Sequence, residues 1–190
     1  MKHHENVKIV AFVGLAGSGK STAVEYLTQK NYPKVYFGGV IYDAMREAGL
    51  TPGDWAVETP FREEIREREG KDFVVLRINK QIKDLIAAGQ HRIIADGLYS
   101  WTEYKIMKHE FPGELIVVAV VAPKHLRHSR LANRPERPLT STEVDQRDWA
   151  EIENLEKGGP IAIADYYVTN DSTVEPFYKQ IDTILKDIDF

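Results

Sequence analysis

The sequence predicts an α/β fold of three layers, in which a central parallel sheet of about five strands lies between two layers of helices. Two observations carry this prediction. Short apolar runs alternate with helical segments along the 190 residues, and the first run leads through a glycine-rich turn into a helix. Neighbouring parallel strands need a long crossover, usually a helix, so strands separated by helices indicate such a sheet. A chain of this length is most simply one domain, residues 1–190.

The strands are predicted from short apolar runs that contain many β-branched residues. The first run, VKIVAFV, is apolar at almost every position rather than at alternate ones. This pattern is typical of a strand that is covered on both faces. The predicted strands are residues 7–13, 33–39, 92–97, 114–122 and 164–171.

The helices are predicted from apolar residues at helical spacing and from residues that begin or end helices. Gly49 ends the second helix, and Ser172, with Glu175 three residues later, is the expected N-cap of the last. The stretch 51–60 contains Pro and Gly and is expected to be a loop. The stretch 135–159 is expected to be a polar connecting segment. The predicted helices are residues 20–28, 40–50, 61–89, 102–111, 123–134 and 172–188.

Composition excludes several classes of protein. The formal net charge of −4 and the pI near 5.9 argue against a nucleic-acid binder that works through bulk positive charge. The absence of cysteine excludes disulfides, thiolate metal sites and cysteine nucleophiles. No apolar stretch approaches the roughly 18 residues of a membrane helix, and the N-terminus lacks a signal-peptide core. A cytoplasmic monomer or homodimer is expected, with His3 and His4 solvated rather than bound to metal.

A phosphate-binding loop is predicted where the first strand ends. The stretch GLAGSGKS, residues 14–21, matches G-x-x-x-x-G-K-[ST] in full, between a predicted strand and a predicted helix. Its glycines let backbone N–H groups turn inward around a phosphate, and the helix adds the positive end of its dipole. Lys20 is expected to reach the β- and γ-phosphates and Ser21 to bind Mg²⁺. The predicted ATP-binding residues of this P-loop are Gly14, Ala16, Gly17, Ser18, Gly19, Lys20, Ser21 and Thr22.

The third predicted strand ends in a carboxylate. In IIADG, Asp96 follows the apolar run, where it is placed to hold Mg²⁺ or to orient an acceptor hydroxyl. The alternative is a structural turn of the Asp-Gly type at the strand end.

A cluster of arginines follows the fourth predicted strand. Arg127, Arg130 and Arg134 are spaced to share one helical face, and Arg137 follows them closely. Guanidinium groups can bind two oxygens of a transferring phosphoryl group, so the cluster is expected to act on phosphates. The prolines on either side of Arg137 favour a lid that leaves the core. The alternative is a solvated basic helix.

Several stretches carry a resemblance to nucleoside monophosphate kinase-type proteins over nearly the full length of the chain. DGLYSWTEYKIMKHEFPG, followed by APKHLRHSRL, resembles the Asp-Gly, glutamate, Phe-Pro and Ser-Pro-Lys stretches of an uncharacterised, largely archaeal family of nucleotide kinase-like proteins. EIREREG resembles that family's Glu-Leu-Arg-x-Glu-x-Gly segment, and QRDWAEI its Arg-Asp-x-x-Glu-Leu lid segment. IAIADYYVTND resembles the end shared with dephospho-CoA kinase, and adenylate kinase is a more distant match.

The resemblance implies roles on the nucleotide side. Lys20 and Asp96 would be catalytic, and Arg130 and Arg134 would be catalytic arginines of a lid that closes over ATP. Arg130 and Asn170 would also contact the nucleotide, Asn170 beside the adenine. Besides Ser21, Asp96 would bind Mg²⁺. The lid would span residues 127–160.

On the acceptor side, the resemblance implies a helical binding region at residues 38–90. Within it Arg66, with its neighbour Arg62, would face the acceptor phosphate. The chain departs from the family at Tyr42 and Tyr99, which stand where the family carries arginine. A tyrosine can stack on a base or donate one hydrogen bond, but it cannot neutralise a phosphate dianion. Both tyrosines are therefore expected to bind an acceptor that is less charged or that the two arginines hold.

An aromatic group lies near this region in the sequence. Tyr36, Phe37, Tyr42 and Trp55 are expected either to line the acceptor pocket or to pack in the core.

The sequence therefore predicts a phosphotransferase that moves the γ-phosphoryl group of Mg-ATP to a small, nucleotide-like acceptor, without nucleic-acid or membrane partners. Dephospho-CoA is an alternative acceptor. A nucleotide-dependent switch or regulatory ATPase without an acceptor is an alternative of another class, because the tyrosines at 42 and 99 are compatible with a lost acceptor site. The acidic pI disfavours a third possibility, a nucleic-acid 5′-end kinase.

Overall fold

The structure is a computed structural model that describes residues 6–53, 55–135 and 138–190, without the side chains of Trp55, Ala56 and Thr59. At its centre lies a five-stranded sheet in the order β2-β3-β1-β4-β5, in which every neighbouring pair is parallel. The strands are β1 (Lys8–Val13), β2 (Lys34–Tyr36), β3 (Arg92–Asp96), β4 (Leu115–Val121) and β5 (Tyr166–Thr169).

Helices connect the strands and cover both faces of the sheet. In chain order they are α1 (Lys20–Thr28), α2 (Phe37–Glu47), α3 (Trp55–Glu69), α4 (Phe73–Ala87), α5 (Trp101–Glu110), α6 (Lys124–Ala132), α7 (Ser141–Glu153), α8 (Gly158–Ala162) and α9 (Val174–Asp187). Among the residues described, none of these helices is both long and apolar enough to cross a membrane.

Strand β1 separates two apolar cores. Ile9, Ala11 and Val13 belong to the core that contains side chains of α2, α3, α4 and α5. Val10 and Phe12 belong to the core that contains side chains of α1 and α9. Because successive side chains of a strand point to opposite faces, the almost continuous apolar run serves both cores. The three-layer α/β/α prediction is confirmed.

The strand order reverses at β1, which pairs with β3 on one side and with β4 on the other. In open parallel sheets, ligands bind at the carboxyl ends of the strands where the order reverses. The glycine-rich turn follows β1 directly, and it therefore lies at the position where this fold type forms its ligand crevice.

Two predicted connections contain helices. Helix α3 begins at Trp55, inside the predicted loop 51–60, and Pro60 lies within it. Proline costs helix stability, but Phe61 and Ile65 of this helix are buried in the core, so tertiary packing outweighs the local preference. Helix α7 lies inside the predicted polar connection 135–159.

Three boundaries also differ from the prediction. The second strand ends at Tyr36 because its partner β3 ends at the paired Asp96. The predicted helix 61–89 is broken at Gly70, whose φ is 95°, before α4 begins. The predicted N-cap Ser172 is wrong: Thr173, with extended φ and ψ of −74° and 170°, is the residue before the first turn of α9.

Candidate active site

The P-loop joins β1 to α1 as the motif predicts. Gly17 and Gly19 have φ values of 78° and 104°, which L side chains rarely adopt, and Lys20 is the first residue of α1. A Cβ on Gly19 would also collide with the side-chain amide nitrogen of Asn170. The backbone conformation favours glycine at position 19, and any larger residue would also have to displace the side-chain amide of Asn170.

Lys20 and Asp96 meet at the carboxyl edge of the sheet. The Nζ atom of Lys20 lies 3.1 Å from Oδ1 of Asp96 and both side chains are 14 % exposed. Lys34 of β2 lies 3.8 Å from the other carboxylate oxygen. The contact follows from topology, because Asp96 is paired with Phe12 near the end of β1. The P-loop lysine is therefore held by the carboxylate that the sequence predicts to bind Mg²⁺ or to orient the acceptor hydroxyl.

Arg130 and Asn170 form hydrogen bonds to carbonyl groups of the P-loop. Arg130 donates to the carbonyl oxygen of Gly17 at 3.3 Å and to that of Asn170 at 3.0 Å. The side-chain amide of Asn170 donates to the carbonyl oxygen of Ser18 at 2.8 Å. These bonds tie the loop to α6 and to the end of β5. The predicted contact of Asn170 with adenine stays a prediction.

Arg127 is not a solvated residue of a basic helix. Its guanidinium makes two hydrogen bonds of 2.7 Å to the two carboxylate oxygens of Asp148, and it donates to the carbonyl oxygen of Ala16 at 3.2 Å. The pair joins α6, α7 and the P-loop. Arg134 lies beyond the end of α6, so it does not share a helical face with Arg127 and Arg130. Arg137 lies outside the described residues, as do His3 and His4.

Glu151 of α7 is a carboxylate on the P-loop that the sequence analysis missed. It is 4 % exposed. Its Oε2 accepts a hydrogen bond of 3.0 Å from the backbone N–H of Ala16, and its Oε1 lies 3.2 Å from Nε of Arg147. The N–H groups of this loop are those predicted to bind phosphate, so Glu151 occupies one donor of the predicted phosphate site.

Lys157, at the start of α8, was also missed. Its Nζ lies 3.0 Å from Oε1 of Glu151 and 4.4 Å from the centre of the Tyr99 ring. The Nζ of Lys20 lies 5.3 Å from the same ring centre. Burial lowers the pKa of Lys157, and Lys20 acts in the same direction while Glu151 opposes it. A signal for this segment was present, because Thr140 and Glu143 form the capping box that begins α7.

A cavity of about 380 Å³ lies over the P-loop. This volume is within the ordinary range for small-molecule sites, about 300–1,000 Å³. The P-loop residues Gly14 to Gly17 and Gly19 to Ser21 line it, with Tyr99 and Leu131. The charged residues of its wall are the cations Lys20, Arg130, Arg134, Arg147 and Lys157 and the anion Glu151. The excess of positive charge fits a polyanionic ligand such as a nucleoside triphosphate.

Three tyrosines gather near Asp96, and one of them, Tyr99, also lines the cavity over the P-loop. Burial raises the pKa of Tyr36, the charges of Tyr99, Tyr42 and Asp96 raise it further, and the charge of Arg62 lowers it, so each of these groups lies near Tyr36. Tyr36 is 40 % exposed. This cluster contains Tyr42, Tyr99 and Arg62 of the predicted acceptor site.

The aromatic residues of the predicted pocket lie in different environments. Phe37 is buried in the core, and Tyr42 packs partly against it, as the core-packing alternative expects. The ring of Tyr36 lies over Gly38 and Gly39, where a Cβ would approach it to 2.5 Å and 3.1 Å. The side chain of Trp55 lies outside the described part of the chain.

The acceptor-side arginines both lie on α3. Arg62 is held by Glu58 at 3.2 Å, and its buried Nε has no hydrogen-bond partner among the described residues. Arg66 is exposed, and its charge acts on Glu103, whose carboxylate accepts the N–H of Tyr99 at 2.9 Å. Burial raises the pKa of Glu103. Their contact with an acceptor stays a prediction.

The predicted metal ligands are Ser21 and Asp96. Ser21 lines the cavity in the first turn of α1, and Thr22 follows it in the same turn. Within the described residues, no group of three or more His, Asp or Glu side chains is placed to hold a metal ion. Mg²⁺ commonly binds to one or two protein ligands, substrate phosphates and water, so one hydroxyl and one carboxylate fit it chemically.

Comparisons with known proteins agree with this geometry. The AAA domain model matches residues 10–156. A UPF0200 protein of Sulfurisphaera tokodaii is 32 % identical over 185 residues, which cover 96 % of this chain and 98 % of the relative. Among solved structures, dephospho-CoA kinase from Campylobacter jejuni matches with a TM-score of 0.62 and 15 % identity, covering 95 % of this chain and 96 % of that one. Shikimate kinase from Acinetobacter baumannii in complex with shikimate matches with a TM-score of 0.56 and 18 % identity, covering 97 % and 95 %.

Proposed function

The chain belongs to the UPF0200 family and carries an AAA domain with a P-loop kinase fold, and on this premise we propose that it transfers the γ-phosphoryl group of Mg-ATP to a small nucleotide or nucleotide-like acceptor. The observation that carries the proposal is the charge of the cavity over the P-loop. Five cationic side chains and one carboxylate line it. Such a wall would stabilise the charge of a transferring phosphoryl group.

On the nucleotide side, the P-loop amides and Lys20 would bind the phosphates, and Ser21 and Asp96 would hold Mg²⁺. Mg²⁺ held there would supply positive charge to the phosphates. Arg130 and Arg134 would stabilise the transferring group from the lid. Lys20, whose Nζ lies 3.1 Å from Oδ1 of Asp96, would turn to the phosphates of a bound nucleotide and leave the carboxylate to the metal ion or the acceptor hydroxyl.

On the acceptor side, Tyr42 and Tyr99 would contact the acceptor, and Arg62 and Arg66 would bind its anionic group. Dephospho-CoA is an alternative acceptor, which the fold of dephospho-CoA kinase suggests. The aromatic cluster beside Asp96 supports an acceptor with a planar base, because tyrosine rings stack on such groups.

The proposed arrangement is one cytoplasmic kinase domain, monomeric or dimeric, with an acceptor region at residues 38–90 and a lid at residues 127–160. Lid closure would exclude water, which would otherwise compete with the acceptor for the phosphoryl group.

A second candidate is a nucleotide-dependent switch or regulatory ATPase. The contact of Glu151 with the N–H of Ala16 favours it, because a carboxylate that leaves the P-loop on nucleotide binding couples the lid to nucleotide occupancy. This candidate predicts tight nucleotide binding and slow hydrolysis that no small acceptor stimulates.

The deciding experiment measures ADP release from Mg-ATP with and without acceptors. The panel contains ribo- and deoxynucleoside monophosphates, nucleosides, dephospho-CoA and shikimate, and ³¹P NMR identifies the product. Lys20→Ala is expected to abolish turnover, and Lys186→Ala, at an exposed position on α9, is the matched control. An acceptor that raises the rate by orders of magnitude supports the kinase. Slow hydrolysis that is the same with every acceptor would favour the switch.

A further inference from the structure

Lys157 is a buried ammonium group in the wall of the phosphate cavity. It is 8 % exposed, and it lies far from the P-loop in sequence. Burying an ammonium group is costly unless an anion accompanies it. In the described residues its ion-pair partner is Glu151, at 3.0 Å. The face of the Tyr99 ring, 4.4 Å away, is a further electron-rich contact.

Glu151 is shared among three donors rather than reserved for Lys157. Its carboxylate also accepts the N–H of Ala16 at 3.0 Å and lies 3.2 Å from Nε of Arg147. One anion thus sits among a P-loop amide, an arginine and a lysine. A backbone amide, an arginine and a lysine are also the donors that proteins use to bind phosphate.

A phosphate and the Glu151 carboxylate cannot both accept the hydrogen bond of the Ala16 N–H. Two anions at contact distance in a partly buried site repel strongly. A phosphate that reaches Ala16 therefore displaces Glu151, and Lys157 must then pair with that phosphate or remain buried without its anion.

We propose that Lys157 is a second phosphoryl-binding lysine of this site, which Glu151 holds beside the P-loop until the terminal phosphate of a nucleotide takes the place of the carboxylate. The inference rests on the proposed function and names a further residue for the same site. The terminal phosphate is the one concerned because Lys157 shares the Tyr99 ring with Lys20, the lysine predicted to reach the β- and γ-phosphates. Lys20 and Lys157 both lie over the Tyr99 ring. They supply positive charge at a position where this chain carries a tyrosine.

The test compares the affinities of the full chain for a non-hydrolysable ATP analogue and for ADP, both with Mg²⁺, by isothermal titration calorimetry. Lys157→Met keeps the apolar stem and removes the charge. We expect it to weaken binding of the ATP analogue by about ten- to hundredfold, the usual range for a lost charge-assisted hydrogen bond. We expect ADP binding to change by less than about threefold, because ADP lacks the terminal phosphate. Lys186→Met is the matched control.

A second variant, Glu151→Gln, tests the exchange without removing the lysine. It keeps the size of the side chain and removes the competing charge, so it should bind the ATP analogue at least about threefold more tightly than wild type. If Lys157→Met does not fold, the affinity of Glu151→Gln for the ATP analogue is the test of the proposed exchange.

The outcomes separate this inference from the proposed function. If wild type binds the ATP analogue and Lys157→Met loses ATP and ADP affinity equally, or loses neither, Lys157 has only a structural role. Unchanged or weaker binding by Glu151→Gln would likewise refute the exchange. If wild type binds neither nucleotide, both the proposed function and the inference fail.

Discussion

The ion pair between Arg127 and Asp148 should be the strongest single tie between α6 and α7. Its two hydrogen bonds are both 2.7 Å long, and the side chains are 7 % and 12 % exposed. Arg127→Met removes one charge and leaves Asp148 buried without it. Breaking a buried pair costs about 3–5 kcal/mol. Because both side chains retain some contact with water, we expect the lower end, about 3 kcal/mol.

The assay is urea unfolding at pH 7, followed by circular dichroism, with thermal unfolding as a second measurement. For a chain of this size, a loss of about 3 kcal/mol lowers Tm by about 6–12 °C. Lys80→Met is the control, because Lys80 and Asp84 form an ion pair with side chains 76 % and 64 % exposed. We expect it to cost at most about 0.5 kcal/mol.

A double variant, Arg127→Met with Asp148→Leu, distinguishes the charge effect from lost packing. Replacing a whole buried pair by apolar residues is often neutral, so the double variant should be more stable than Arg127→Met alone. The reasoning is refuted if Arg127→Met costs less than about 1 kcal/mol, or if the double variant loses the sum of the two single losses.

Two further perturbations test the site. Gly19→Ala should weaken binding of Mg-ATP by about tenfold or more in a calorimetric titration, because a φ of 104° is strained for alanine and the new Cβ displaces the amide of Asn170; binding as in wild type would contradict this loop shape. The stability of wild type relative to Lys157→Met should rise with pH in urea unfolding from pH 7 to 10. Burial lowers the pKa of Lys157 from 10.5, so between the lowered value and 10.5 the unfolded chain binds more protons than the folded one. A flat difference would show that Lys157 is not desolvated.

Sequence reasoning succeeded where one local pattern determines both structure and chemistry. The P-loop motif and the apolar run before it predict β1, the turn and α1 together, and α1 has the predicted bounds, Lys20–Thr28. Asp96 is also predictable, because a residue at the end of a parallel strand must lie at the same edge as the P-loop. The sequence prediction was wrong at α3. Pro60 indicates a loop, but the burial of Phe61 and Ile65 in the core outweighs this local preference.

Glu151 and Lys157 were missed for a different physical reason. On a polar segment, a glutamate and a lysine six positions apart are most simply solvated charges. Only the packing of α7 and α8 over the P-loop buries them, to 4 % and 8 % exposure. Their pairing therefore depends on tertiary structure that no local pattern encodes. The same packing also places cations at Tyr99. From the sequence it is a position that lacks a cation, whereas in the fold two lysines lie over its ring.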